Sequence, residues 1–484
     1  MPHMLKCNNE PQGDVKMRPQ NELYQLVYDF YVTRILFGYY RFGDVLPAIS
    51  KINAYFHLSV PTVRAALRFL EKDGYIKIAA PKPAQVTYKA SENDFLRNIS
   101  AYLSARKDGL EDMKQVTSLL LGPLLTAGIK QRDDAAWRTH WQEIKDIDFN
   151  GMSLTIQLYI FAISSLNNNL ISNFYWEINR YARIPYLRGQ SKILKEVTEQ
   201  MELLPKDEIV NYLTNELRTV YESANDRLLH VIQTVNPEIL NNDVAQIPFE
   251  WNFYHKRSQI RYKLGTRIIQ EILHDQYPIG SYLPSLPQMS DHYHVPLITI
   301  RRTIDFLTEF GVVKSHQGKG IQVCLGQENV DMSQANVQLA LNCFLESLQF
   351  LALTIRSVSR FTFEGVSDRA FHELIQILER IHEKAMDHLV MDVFLVFLTD
   401  HCTSSAVCHC YQKLIKCLAV GYPFTLFRIK DNEFSQTYAA MVLRMITSIE
   451  SHDTEGLAEQ IGIFFEEQEQ YFKTFILHTK IQNV

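Results

Sequence analysis

Cysteine is scarce in this chain: seven among 484 residues, an odd number and a poor basis for a disulfide framework. Four of them crowd into Cys402, Cys408, Cys410 and Cys417, which points to reduced thiols in a cytosolic protein. The cluster His401-Cys402 with Cys408-His409-Cys410 lacks the CxxC spacing of a zinc knuckle, and in an apolar helical pattern cysteine is a small core residue. No apolar run reaches the roughly 18 residues that a membrane helix needs. The best attempt, Leu389 to Leu398, is short and carries Asp392. A charged-then-apolar leader is missing from the start as well. Positive charge is not in excess either: the net charge of −5 excludes a surface that is basic all over, though not a local basic face. The sequence also lacks GxSxG, HExxH and a P-loop, so nothing in it marks an enzyme. What it does have is 46% hydrophobic and 21% charged residues, the balance of a globular chain with true cores. Its length gives room for about three or four domains.

The most informative feature is a repeat. Sliding the chain so that Gly43 falls on Gly280 brings Leu46-Pro47 onto Leu283-Pro284 and Thr62-Val63-Arg64 onto Thr299-Ile300-Arg301. Phe69-Leu70 then meets Phe306-Leu307, Gly74 meets Gly311, Lys77 meets Lys314, and Gln85-Val86 meets Gln322-Val323, all without a gap. A repeat of this length means two copies of one folding unit.

The unit reads as three helices and a hairpin. Leu23, Leu26, Val27, Phe30, Tyr31 and Ile35 follow helical spacing, and Gly38 stops the helix. Phe42 to Pro47 is a turn into an extended stretch, followed by a short helix from about Ala48 to Phe56. Ser59 is a natural N-cap with Pro61 in the first turn of the next helix, which runs from Val60 to about Asp73 and is closed by Gly74. That helix buries Val63, Ala66, Leu67 and Leu70 and is expected to turn Thr62, Arg64 and Arg68 outward. Tyr75–Ile78 and Gln85–Tyr88 alternate as strands. The second copy repeats this order, with Thr299, Arg301 and Arg302 on its third helix and His316-Gln317-Gly318-Lys319-Gly320 at the tip of its hairpin.

The fold expected is therefore mainly α: two winged helix-turn-helix domains, each followed by an all-helical bundle. Residues 1–20 read as a disordered tail, 21–90 as the first winged helix, 91–250 as the first bundle, 251–328 as the second winged helix and 329–484 as the second bundle. Ile247-Pro248 to Lys256 is the expected junction, and Trp137, Trp141 and Trp176 are expected in the core.

Gly-x-x-Leu-Pro, a helix, Thr-(Val/Ile)-Arg, an aromatic-Leu pair, Gly and a Lys-Pro or Lys-Gly wing resemble the winged-helix domain of the GntR family of bacterial transcription regulators. The helical partners are similar in size and composition to the effector-binding domain of its FadR/FCD branch. The resemblance implies a recognition helix in the major groove, with Thr62, Arg64 and Arg68, and Thr299, Arg301 and Arg302, as the DNA-binding positions. It also implies a wing in the minor groove, carrying Lys82 and Lys319. The sequence departs from the family where arginine is usual: Ser50 and Pro287 stand past the turn proline, Val60 and Leu297 at the recognition-helix start, and Pro81 replaces the wing glycine of the first copy. Fewer cations mean a shallower salt dependence and modest affinity or altered specificity.

Many relatives in that branch bind a metal through one aspartate and three histidines. Asp392 could stand for the aspartate, but Val396, Val442 and Phe464 fall where histidines should be, and the first half offers Ile156 and Ile160. No metal and no cofactor are expected there, which leaves a pocket for a small organic effector. Some relatives fuse the winged helix to an aminotransferase-like domain, which needs a continuous α/β region that the second winged helix interrupts here. The resulting expectation is a cytoplasmic, sequence-specific regulator on double-stranded DNA with a pseudo-palindromic operator. It has no membrane partner, and the chain acts as a covalent pseudo-dimer or pairs further into a homodimer. The alternative is a degenerate relative that senses a small molecule or binds proteins, with little DNA binding.

Overall fold

The computed structural model describes residues 21–56, 58–79, 81–136, 138–139, 154–182, 208, 244–251, 259–273, 275–324, 330, 334–426 and 432–482. The expected tail, Trp137 and Trp141 fall outside those residues, as does nearly all of 183–243 within the expected first bundle. The architecture is mainly helical, with two small two-stranded sheets that belong to the two winged helices.

The first head consists of α1 (Asn21–Leu36), α2 (Ile49–Phe56), α3 (Val60–Lys72), β1 (Ile76–Lys77) and β2 (Gln85–Val86). Its core is a separate apolar cluster around Val27, Phe30, Ile52, Val63, Leu67 and Ile76. Ser59 caps α3, accepting the Thr62 N–H at 3.3 Å. The first helical body follows as α4 (Glu92–Ser104), α5 (Lys107–Val116), a π-helical turn at Thr117–Leu121, α6 (Gly122–Gln131), α7 (Leu154–Ser164) and α8 (Asn169–Ala182).

The second head is α9 (Gln259–Leu273), α10 (Leu286–Tyr293), α11 (Leu297–Glu309), β3 (Val313–His316) and β4 (Gly320–Val323). The second body has α12 (Ala335–Phe363), α13 (Asp368–Glu383), α14 (Val390–His401), α15 (Ser405–Leu426), α16 (Asn432–Glu450) and α17 (Thr454–Gln482). Its two long helices, α12 and α17, lie side by side, stitched by Arg356 to Glu459 (3.1 Å) and Glu466 (2.6 Å). The acidic stretch around Glu466 thus takes part in pairing the two helices, and Gln468 within it is buried, accepting from the Tyr438 hydroxyl at 3.1 Å.

Two features were not evident from the sequence. Val337–Phe363 is long and apolar enough to cross a membrane by length and composition, yet 61% of its apolar window is buried inside the protein as a core helix. The run escapes a search for unbroken apolar sequence because scattered polar residues such as Ser347 and Thr354 interrupt it; both hydrogen-bond back to the helix's own carbonyls. Within the expected junction Trp251 is fully buried, its indole N–H donating to Asn173 at 2.8 Å and its ring packed on Phe174 and Phe350. Trp176 is only half-buried and packs against Phe56, so it lies between the first head and its body.

The turns leading into the two sheets share their hydrogen bonds. Gly43 N–H donates to Val86 at 3.0 Å and Gly280 N–H to Val323 at 2.7 Å; Leu46 donates to Ala84 and Leu283 to Ile321, both at 2.8 Å. The Gln85 side chain reaches the Gly43 carbonyl at 3.0 Å and that of Gln322 the Gly280 carbonyl at 2.9 Å. Gly43 and Gly280 both sit at positive φ, 91° and 90°, which explains why glycine recurs there. The strand registers coincide as well, Ile76 opposite Val86 and Val313 opposite Val323.

Each head rests on a helix of its own body: α1 against α8, with Arg180 paired to Asp29 at 2.8 Å, and α9 against α15. The bodies share one continuous core. Across it the caps are reciprocal. Asp112 on α5 accepts from Ser404 Oγ (2.5 Å) and from the Ala406 N–H (2.6 Å) at the start of α15. In return Glu346 on α12 accepts from the Asn169 N–H (3.1 Å) at the start of α8, and Gln349 accepts from Asn168 Nδ2 (2.9 Å).

Candidate nucleic-acid interface

A recognition helix can read DNA only if its outer face is polar, free and clear of the rest of the fold. On α3 the inward positions Val63, Ala66, Leu67 and Leu70 hold the head together, which leaves Pro61, Arg64 and Arg68 exposed and Ala65 partly so. On α11 the inward positions are Ile300, Thr303, Ile304, Phe306 and Leu307, and Ile298, Arg301, Arg302 and Asp305 are exposed. Both outer sets step by three and four residues and so form one stripe along the helix.

Lys82 and Lys319 are exposed at the tips of the two hairpins. The second wing has Gly318 and Gly320 at positive φ, 76° and 113°, which turns the tip without strain. The first tip instead carries Pro81 and Pro83, and Lys82 N–H donates to the Ala79 carbonyl at 2.8 Å. Among the described residues, the side chains of Arg64, Arg68, Lys82, Arg301, Arg302 and Lys319 make no hydrogen bond or ion pair. Several arginines elsewhere are paired: Arg267 with Glu271 at 3.0 Å, Arg360 with Glu455 at 2.5 Å and Arg369 with Glu373 at 2.9 Å.

Thr62 departs from its expected outward placement. It is 7% exposed, and its hydroxyl lies 2.7 Å from Ser59 Oγ. The cause is the N-cap: with Ser59 at the helix start, position 62 folds back over the cap and becomes part of it. Thr299 is partly buried, and its carbonyl accepts from Thr303 Oγ1 at 2.9 Å. In this fold Pro296 occupies the N-cap place, offering no side-chain oxygen to hold Thr299 inward. The exposed Ile298 and the partial exposure of Ala65 were missed by sequence reasoning, although the stripe spacing from Arg301 and Arg64 would have found both.

A second exposed feature recurs between the heads. Phe42 and Val45 beside the first turn, and Ile279 and Tyr282 at the matching places in the second, are all exposed. Lys89 covers Phe42 with its ammonium 4.5 Å from the ring centre.

In the helical bodies, the positions matched to histidine ligands are apolar. Val396 is exposed, while Val442 and Phe464 are buried. Burial raises the Asp392 carboxyl to about 7. The Cys408 thiol donates to the Cys402 carbonyl at 3.2 Å, and a side-chain hydrogen bond from Cys408 draws the Cys402 thiol down to about 7 against the effect of burial. Among the described residues no three His, Cys, Asp or Glu side chains converge as a metal site.

The structure thus presents twice a winged helix whose recognition-type helix carries a free cationic outer face. Residues 23–86 and 262–323 each match the family model of the bacterial regulatory proteins, gntR family, so the chain carries that family's DNA-binding winged-helix domain twice. No curated protein matches the chain significantly. Solved structures similar to it include Streptococcus agalactiae GntR, at 13% identity over 43% of this chain and 99% of that one, with a TM-score of 0.20. E. coli McbR/YncC is 12% identical over 45% of this chain and 98% of its own, with a TM-score of 0.24.

Proposed function

We propose that the chain is a sequence-specific, DNA-binding transcription regulator in which one polypeptide supplies both halves of what relatives assemble as a dimer. One observation carries the reading. Each head presents a recognition helix whose outward arginines have no acidic partner among the described residues, and does so on an otherwise acidic chain. A free arginine at the start of such a helix can grip guanine O6 and N7 with two bonds or clamp a phosphate. The reciprocal caps between the bodies support the pseudo-dimer: a contact from the first half onto the second is answered by its counterpart, the pattern of a two-fold interface. The operator is then a pseudo-palindrome, its half-sites about one helical turn apart.

The helical bodies are the place for a small organic effector. Because α8 carries the first head while its N-terminus is held by the second body, a ligand that favours one packing of the bodies would favour one placement of the heads. A degenerate relative that senses a ligand without gripping DNA is the competing reading, supported by the serine, proline, valine and leucine where the family has arginine.

Selection of duplexes from a random pool by the full chain, followed by titration of the enriched duplex, tests the proposal. Arg64→Ala and Arg301→Ala are each expected to weaken binding about tenfold or more. For each phosphate no longer neutralised, the salt slope should fall by about one unit. Unchanged affinity and slope in the double variant would end this reading in favour of the competing one.

A further inference from the structure

The two reading stripes occupy the same places on two helices of equal length, Val60–Lys72 and Leu297–Glu309, yet their residues differ. In chain order the first stripe is Pro61, Arg64, Ala65, Arg68 and the second is Ile298, Arg301, Arg302, Asp305. Only the arginine one turn in is common. This difference does not come from the interior. Most of the buried face is shared, Val63 against Ile300, Leu67 against Ile304 and Leu70 against Leu307, although Phe306 is buried where Phe69 is 39% exposed.

Ile298 is the sharpest case. It is 55% exposed in the first turn of α11, where an apolar side chain gains nothing from the fold. Asp305 is exposed two turns along the same stripe and makes no ion pair among the described residues, although Arg301 and Arg302 lie one turn before it. An acid on a face that meets phosphates costs affinity unless it accepts a hydrogen bond from a base.

Resting on the regulator reading above, we infer that the chain reads two unlike half-sites. Arg64 and Arg301 read a guanine common to both. Ile298 adds a thymine requirement to the second half-site only, by covering the C5-methyl group, and Asp305 adds a cytosine through its N4 amino group. The first stripe, with Pro61 and Ala65 in place of Ile298 and Arg302, tolerates more sequences next to its guanine, and Arg68 holds phosphate or a second guanine. The ligand class of the tandem head is thus an asymmetric composite duplex and not a true palindrome.

The test is selection from a random pool by the full chain, alongside two variants. Wild type is expected to enrich one guanine in each half-site but a neighbouring thymine in only one. Ile298→Ala should lose that thymine and leave the other half-site unchanged. Replacing the thymine by deoxyuridine should weaken wild type about fourfold, the worth of one buried methyl group, and leave Ile298→Ala unaffected. The triple exchange Pro61→Ile, Ala65→Arg, Arg68→Asp, at two exposed positions and one partly exposed one and checked for fold by circular dichroism, should convert the selected site into a palindrome. Enrichment of identical half-sites by wild type, or of unchanged unlike half-sites by the triple variant, overturns the inference while leaving DNA binding intact. If no duplex is enriched at all, the regulator reading itself fails and this inference falls with it.

Discussion

Asp392 is the residue whose chemistry is most at odds with its place. It lies in the first turn of Val390–His401, where an ionised carboxylate would favour the helix dipole, but burial raises its carboxyl to about 7. The folded state thus holds a proton that the unfolded chain releases near pH 4. Stability from this group is complete below about pH 4 and is lost as pH rises toward 7. Asp392→Asn, which cannot ionise, should remove that loss. Relative to wild type, the variant is expected to gain at least about 1 kcal/mol between pH 5 and pH 7.5, read as a growing difference in denaturant midpoint. Parallel pH profiles for the two proteins would show that Asp392 is ionised throughout.

At the scale of elements, much of the head was legible in the sequence because its determinants are local. Gly43, Gly74, Gly280 and Gly311 mark turns at positive φ, Ser59 marks a helix start, and apolar spacing sets which faces turn inward. The strands came out shorter in the first copy, Ile76–Lys77 against the expected Tyr75–Ile78, because the Ile78 N–H leaves the sheet to meet Glu71 at 2.7 Å. Thr62 was misplaced because the N-cap hydrogen bond outcompetes solvent for its hydroxyl. The caps between the bodies were not legible at all. Asp112 and Ser404 lie 292 positions apart, and no local pattern pairs an acid on one helix with the start of another so distant.

That long-range cap makes its own prediction. Asp112→Ala leaves the Ser404 hydroxyl and the Ala406 N–H without their acceptor at the N-terminus of Ser405–Leu426. The expected loss is about 1–3 kcal/mol in unfolding free energy. Ser404→Ala should cost less, and the double variant less than the sum, since both remove one interaction. Strict additivity would show that the two halves are not joined through this cap.

For the whole molecule the question is whether two heads on one chain act as a unit. The core that joins the bodies runs without a break through Phe174, Trp251 and Phe350, whose rings lie 5.1 to 5.4 Å apart. Each head sits on a helix whose start is held by the opposite body, so moving one head independently would break a reciprocal pair of caps as well as this core. Heads fixed in this way should bind both half-sites of one duplex with a single chain, and the second contact then gains from effective concentration. Sedimentation of a labelled duplex is expected to give one chain per duplex. Five base pairs inserted between the half-sites should cost about tenfold or more in affinity, because the second half-site turns to the far face of the helix. Two chains per duplex, or affinity indifferent to the insertion, would mean that each head binds alone and that the duplicated chain needs a partner copy to read a full site.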